Sequence, residues 1–177
     1  MNTLETIYSR KSIRAFNGEN INENELKEIL KAAYAAPVGR AMYDTLSMTV
    51  VSNKELLNKW EQHMAAATGN PDMHPFYGAP TVILLSSAIP SAQMSNINYS
   101  NAAIVVHNMA LAATELGIGA CHIWGAVGVL NGNAELIKEL KVPEGMTPCC
   151  AIALGHFDGN YEVREIMENR IKTEYVK

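Results

Sequence analysis

The run from Ala102 to Leu116, AAIVVHNMALAATEL, constrains the fold more than any other stretch of the chain. At 3.6 residues per turn it makes a helix that is apolar almost all round. Such a helix is fully buried, either at a core centre or in a subunit interface. It is too short, and with His107, Asn108 and Glu115 too polar, to span a bilayer. The rest of the chain must therefore supply the layers that cover it. Charged residues make up only 18 % of the sequence, below the roughly 25 % usual in soluble domains. That shortfall points to surface buried against a partner chain.

The remaining segments read as a mixed α/β protein of one domain, residues 1–177, built on one sheet of four or five strands. TLSMTVVS, APTVILLSS, GACHIWG and CCAIALG are the strand candidates. APTVILLSS, a continuous apolar run, predicts a strand buried on both faces. The tail RIKTEYVK is a candidate edge strand. A short first helix carries Leu4, Ile7 and Tyr8 at helical spacing. NINENELKEILKAAYAAPVG predicts a second helix capped by Asn22, with Glu25 three residues on. Its stripe is Leu26, Ile29, Leu30, Ala33 and Tyr34, and Pro37 and Gly39 end it. A third helix turns Leu56, Leu57, Trp60 and Met64 inward, and another lies around NAELIKELK.

With 14 Lys and Arg against 18 Asp and Glu, the net charge is −4, which argues against a nucleic-acid binder. Three cysteines, two of them adjacent (Cys149 and Cys150), do not make a disulfide framework. The N-terminal segment lacks the apolar core of a signal peptide, so a reducing cytoplasm is expected. The five histidines show no metal-ligand spacing and no Cys-x-x-Cys occurs, so no metal is expected. His107 reads as a core or interface histidine. No serine sits in a nucleophile elbow.

Against the acidic total, TIYSRKSIRAF gathers Arg10, Lys11 and Arg14 around Ser9 and Ser12. Forked guanidinium donors, a lysine point charge and a neutral hydroxyl suit a phosphomonoester. The same residues also suit a solvated basic helix end that complements the helix dipole, and local chemistry leaves both readings open. Gly117 reads as a helix C-cap, not as part of a dinucleotide fingerprint. Gly125, following Trp124 at a strand end, permits close approach of a flat ligand to the backbone.

Taken in order, these stretches resemble the nitroreductase family of FMN flavoproteins. SRKSIRAF resembles the family's opening R-(R/K)-S-(I/V)-R-x-(F/Y) motif, and ELKEILKAAYAAPVG its second helix and A-P loop. GAPTVILL is similar to its A-P-x-x-(I/V) strand, NAAIVVHNMALAATELGIGACHI to its central helix and following turn, and AIALGHFDG to its late strand. Where many members carry N-x-Q-P-W, this chain reads GRAMYDTLSMTV.

The resemblance implies an α+β three-layer sandwich, with a mixed, mostly antiparallel sheet flanked by helices, in an intertwined homodimer with FMN between subunits. It implies that Arg10 and Ser12 meet the phosphate and ribityl end, that Lys11 helps through its backbone or stem, and that Arg14 lies near the pyrimidine edge. There a cation steadies the charge that reduction places on the ring. Arg164, with Arg170 second, is the expected C-terminal phosphate ligand. Pro37, Val38 and Gly39 would reach over the flavin from the partner chain, and a backbone N–H of Trp124 or Gly125 would face N5. The implied activity is ping-pong hydride transfer from NADH or NADPH, through flavin N5, to a small-molecule acceptor such as a nitroaromatic or quinone, with no catalytic acid or base. A non-catalytic flavin-binding carrier, sensor or electron-transfer partner, a flavin-consuming or dehalogenating relative, and a ligand-free structural dimer are the alternatives.

Overall fold

The computed structural model describes residues 1–89, 91 and 95–177. Four strands form one sheet: β1 (Leu46–Val51), β2 (Thr81–Ala88), β3 (Gly119–Ile123) and β4 (Met146–Gly155). Their order is β1-β2-β4-β3, and every pairing is antiparallel. The expected parallel component is absent among the described residues, and the tail RIKTEYVK forms no strand there.

Helices cover both faces, giving three layers. On one side lie α2 (Glu23–Tyr34) and α4 (Ser95–Glu115). There Ile29 and Ala33 of α2 meet Val105, Val106, Met109 and Ala113 of α4 over Ile83, Leu85, Ile152 and Leu154. On the other side lie α3 (Lys54–Thr68), α5 (Gly125–Leu130) and α6 (Ala134–Glu139). Their Leu57, Trp60, Val127, Leu130 and Leu136 pack on Val82, Leu84, Ala151 and Ala153. Successive residues of β2 and β4 thus serve opposite layers, which is why their sequences are apolar without alternation. Burial of Trp60 also requires a partner for its indole N–H, which donates to the Ala126 carbonyl at 2.9 Å and ties α3 to α5.

Local rules hold where they concern the backbone. Asn22 caps α2 by accepting from the Asn24 and Glu25 amides, while Glu25 accepts from the Asn22 amide, a reciprocal box. In β4 the register slips by one residue opposite Leu85 and Ser86, so Cys149 is the extra residue. A bulge of this kind tolerates Pro148, which has no N–H for a ladder. It also lets both Cys149 and Cys150 face the α4 layer as free thiols. Burial pushes them up to about 11 and about 12.

The long apolar helix departs from the expectation of full burial, and the first helix leaves its apolar stripe uncovered. The first helix, α1 (Thr3–Ser9), buries Thr6 and Ser9 and leaves Leu4, Ile7 and Tyr8 exposed. It is docked by its polar side, with the Thr6 hydroxyl donating to Glu115 at the end of α4 at 2.5 Å. On α4, the face away from the sheet leaves Ile97, Tyr99, Ile104 and His107 exposed. Within one chain the long apolar helix is therefore covered on one side only. No helix among the described residues is long and apolar enough to cross a membrane.

Candidate functional site

Helix α1 ends at Arg10, whose backbone leaves the helical region while its N–H still bonds the Thr6 carbonyl. The chain then runs along the free side of β3, where the Ile13 amide donates to the Ala120 carbonyl at 2.9 Å. Buried Ile13 anchors this segment. Extended backbone sends alternate side chains to opposite sides. Arg10, Ser12 and Arg14 share one side: all three act on the Cys121 thiol of β3, opposing the upward push of its burial. Lys11 turns the other way, its Nζ donating to the Asn160 carbonyl at 3.0 Å and lying 5.9 Å from the Tyr161 ring centre.

Among the described residues, no carboxylate lies within ion-pair distance of Arg10, Lys11 or Arg14. Side-chain hydrogen bonds of the Arg10 and Arg14 guanidinia are likewise absent among those residues. Two forked cations held by the backbone and left without an ion-pair partner among the described residues could hold an anion.

Between the outer face of α4 and the end of β3, near enough to Arg10 for its charge to act on both histidines, lies a 370 Å³ hollow lined by Ala103, Ile104, His107, Asn108, His122 and Trp124. His122 and Trp124 are two apart on or just past β3, so the pleat turns both to the α4 side. The His107 and His122 rings lie 5.7 Å apart. Burial, the neighbouring His107 and the Arg10 charge push His122 down to about 4, and burial and Arg10 lower His107 as well. Both rings are therefore neutral near pH 7, and Arg10 provides the cation at this end of the hollow. Trp124 is 52 % exposed and precedes α5, so Gly125, expected at the end of a strand, opens a helix. As a first-turn residue, Gly125 has an N–H without an intrahelical acceptor.

The other expected residues are distributed differently. Arg164 is held at the back of the basic stretch: its Nε donates to the Tyr8 carbonyl at 3.0 Å and its Nη2 to the Arg10 carbonyl at 2.6 Å. Its fork, expected at a phosphate, is engaged with these two backbone carbonyls. Arg170 lies exposed on the C-terminal segment. In the loop after α2, Val38 is buried in the α4 layer, while Pro37 and Gly39 are exposed. The Gly39 amide donates to Asn101 of α4 at 2.9 Å, and a Cβ on Gly39 would sit 3.3 Å from that same oxygen. Single-sequence reading overlooked His122, Asn108 and Asn101. Strand alternation with Trp124 was the available signal for His122; Asn108 was noted only for its polarity, and Asn101 lies just before the apolar run.

The donor set fits a phosphorylated flavin: unpaired guanidinia and a hydroxyl for the phosphate, a mostly apolar hollow with a half-exposed indole for a flat ring, and a glycine amide beside it. Comparison with known proteins agrees. A sequence model of the nitroreductase family matches residues 7–156. A protein of Methanothermobacter thermautotrophicus, provisionally named NADH dehydrogenase/NAD(P)H nitroreductase, is 30 % identical over 181 aligned residues, covering 98 % of this chain and 87 % of its own. Among solved structures, a nitroreductase with bound FMN from Desulfitobacterium hafniense superposes with a TM-score of 0.84 at 28 % identity over the whole of both chains. One with bound FMN from Bacteroides fragilis gives 0.81 at 29 %, also over the whole of both chains. Sequence match and three-layer architecture together leave one conclusion, that this chain belongs to the nitroreductase family.

Proposed function

We propose that residues 1–177 form one FMN-binding domain of an NAD(P)H-dependent oxidoreductase that works as a homodimer. The observation that carries this reading is the pair Arg10 and Arg14, fixed along β3 without any ion-pair partner among the described residues, with the charge of Arg10 reaching the histidines of the His122–Trp124 hollow. Relatives support it. An NADPH-flavin oxidoreductase of Vibrio harveyi is 27 % identical over 92 % of this chain and 69 % of its own.

FMN, when bound, would supply the chemistry for hydride transfer between NADH or NADPH and a nitroaromatic, a quinone or a similar small acceptor. The chain's own residues then have positional and electrostatic tasks. Arg10 and Ser12 bind the phosphate end, and Arg14 holds positive charge at the pyrimidine edge. Trp124 and Gly125 present backbone N–H groups to the ring. Ile104, Ala103 and the Trp124 indole exclude water from the ring's surroundings. No side chain is needed as a general acid or base, because successive occupants of one pocket react by orientation alone.

The homodimer follows from the outward apolar side chains of α1 and α4, a surface that a monomer rarely leaves open. In the proposed dimer the Pro37–Gly39 loop of the second chain would complete the site. Three free thiols suit a reducing compartment such as the cytoplasm. Visible absorption tests the reading: the purified protein should carry flavin at about one FMN per chain and bleach on adding NADH or NADPH. A colourless protein that does not take up FMN refutes it, and a yellow one without steady-state NAD(P)H oxidation is a flavin carrier instead.

A further inference from the structure

Helix α1 ends with no basic residue in its last turn. The final carbonyls of a helix have no intrahelical donors and carry the negative end of its dipole. Here they are served from far along the chain. Arg164 Nε donates to Tyr8 O at 3.0 Å, Arg164 Nη2 donates to Arg10 O at 2.6 Å, and the Arg164 amide lies 3.4 Å from Tyr8 O. Two further contacts fasten the same segments: Lys11 Nζ to the Asn160 carbonyl, and the Tyr161 hydroxyl to the Ile118 carbonyl at 2.9 Å just before β3.

We infer that Arg164 is a positioning residue that caps α1 from the C-terminal segment and thereby fixes the backbone from which Arg10 addresses the flavin phosphate. The edge of the guanidinium that grips oxyanions, formed by Nε and one terminal nitrogen, is already engaged with two carbonyls. Charge at this point neutralises the helix end, which would otherwise oppose a phosphate bound beyond Arg10. This inference rests on the proposed FMN site, but the cap itself exists without the cofactor and is measurable without it.

The experiment compares the full-length protein with Arg164→Ala, Arg164→Gln and Arg164→Lys, each stripped of flavin. Amide hydrogen exchange is followed at Arg10 and Ile13, whose N–H groups bond Thr6 O and Ala120 O. FMN affinity is then measured by quenching of flavin fluorescence. Expected are faster exchange at these two amides in the Ala and Gln variants, FMN binding weaker by about tenfold, and partial recovery of both in the Lys variant, which retains a cation and a donor. Unchanged exchange with weakened FMN binding overturns the inference by making Arg164 a direct phosphate ligand. Faster exchange with unchanged affinity overturns it as well, by reducing the cap to a stability device. If Arg164→Ala fails to fold, Arg164→Lys decides through the same two readouts. Failure of the wild-type protein to bind FMN refutes the proposed function separately, and leaves the exchange comparison to decide the cap.

Discussion

The imidazoles of His107 and His122 face each other 5.7 Å apart, one on the outer side of α4 and one on β3. Burial and the Arg10 charge depress both, His122 to about 4. An unfolded histidine titrates near 6.5 (about that value in model peptides). Between about 6.5 and 4 the unfolded chain therefore binds more protons than the folded one, and stability falls as pH falls through that window. Thermal melts at pH 7 and pH 5 should show a lower Tm at pH 5. The loss should shrink in His122→Gln. An equal loss in wild type and variant assigns the acid sensitivity elsewhere.

Removal of the Arg10 guanidinium should weaken FMN by about 1–3 kcal/mol, the scale of a charge-assisted hydrogen-bonded pair. The loss is expected for FMN and not for riboflavin, which lacks the phosphate. Isothermal titration of Arg10→Ala with both ligands measures this. An equal loss for both ligands places the phosphate away from Arg10.

Arg14 has a different task. At the proposed pyrimidine edge its charge would favour the reduced, more negative flavin over the oxidised one, so Arg14→Ala should lower the midpoint potential by roughly 20–40 mV, on a scale where about 30 mV of a two-electron couple is 1.4 kcal/mol. A redox titration with a reference dye reads the shift, and an unchanged potential contradicts the assigned position.

Gly155 and Gly119 are directly paired across β3 and β4. A Cβ on Gly155 would lie 2.6 Å from Pro80 Cδ and 3.2 Å from the Phe16 ring. Gly155→Ala should therefore cost about 1–3 kcal/mol through overpacking, read as a lower denaturant midpoint. Gly128→Ala, inside α5 with open space around its Cβ direction, is the matched control and should raise the midpoint slightly, helix propensity adding about 1 kcal/mol or less of stability.

The apolar side of α4 gives the fifth test. Ile104→Glu puts a charge on the proposed dimer face without entering the chain's own core. Sedimentation should show a dimer for the native chain and a monomer for the variant, with FMN lost alongside because the cavity is shared. A variant that remains dimeric relocates the interface.

How far these features were legible follows from the physics of each element. Asn22 and Glu25 announced their helix because a capping box involves only neighbours in sequence. β2 was readable because strands covered on both faces lose their polar alternation. Leu4, Ile7 and Tyr8 misled, since helical spacing reports an apolar stripe but not whether the chain itself or another molecule covers it. Gly125 was placed in a strand because GACHIWG carries no signal for the turn into α5. Arg164 was recognised as basic and near the site, but its carbonyl partners depend on contacts spanning more than 150 positions, for which one sequence has no local sign.

The order β1-β2-β4-β3 also dictates a timetable. The strand made last during translation is inserted second from the sheet's end, between two made earlier. Until Met146–Gly155 leaves the ribosome, β2 and β3 have no ladder connecting them. The clamp from Asn160 and Arg164 onto the basic stretch follows later still. A nascent chain thus holds Arg10 and Arg14 early but cannot fasten the backbone that carries them until Arg164 has emerged, which makes capture of a cofactor at the proposed site a post-assembly event.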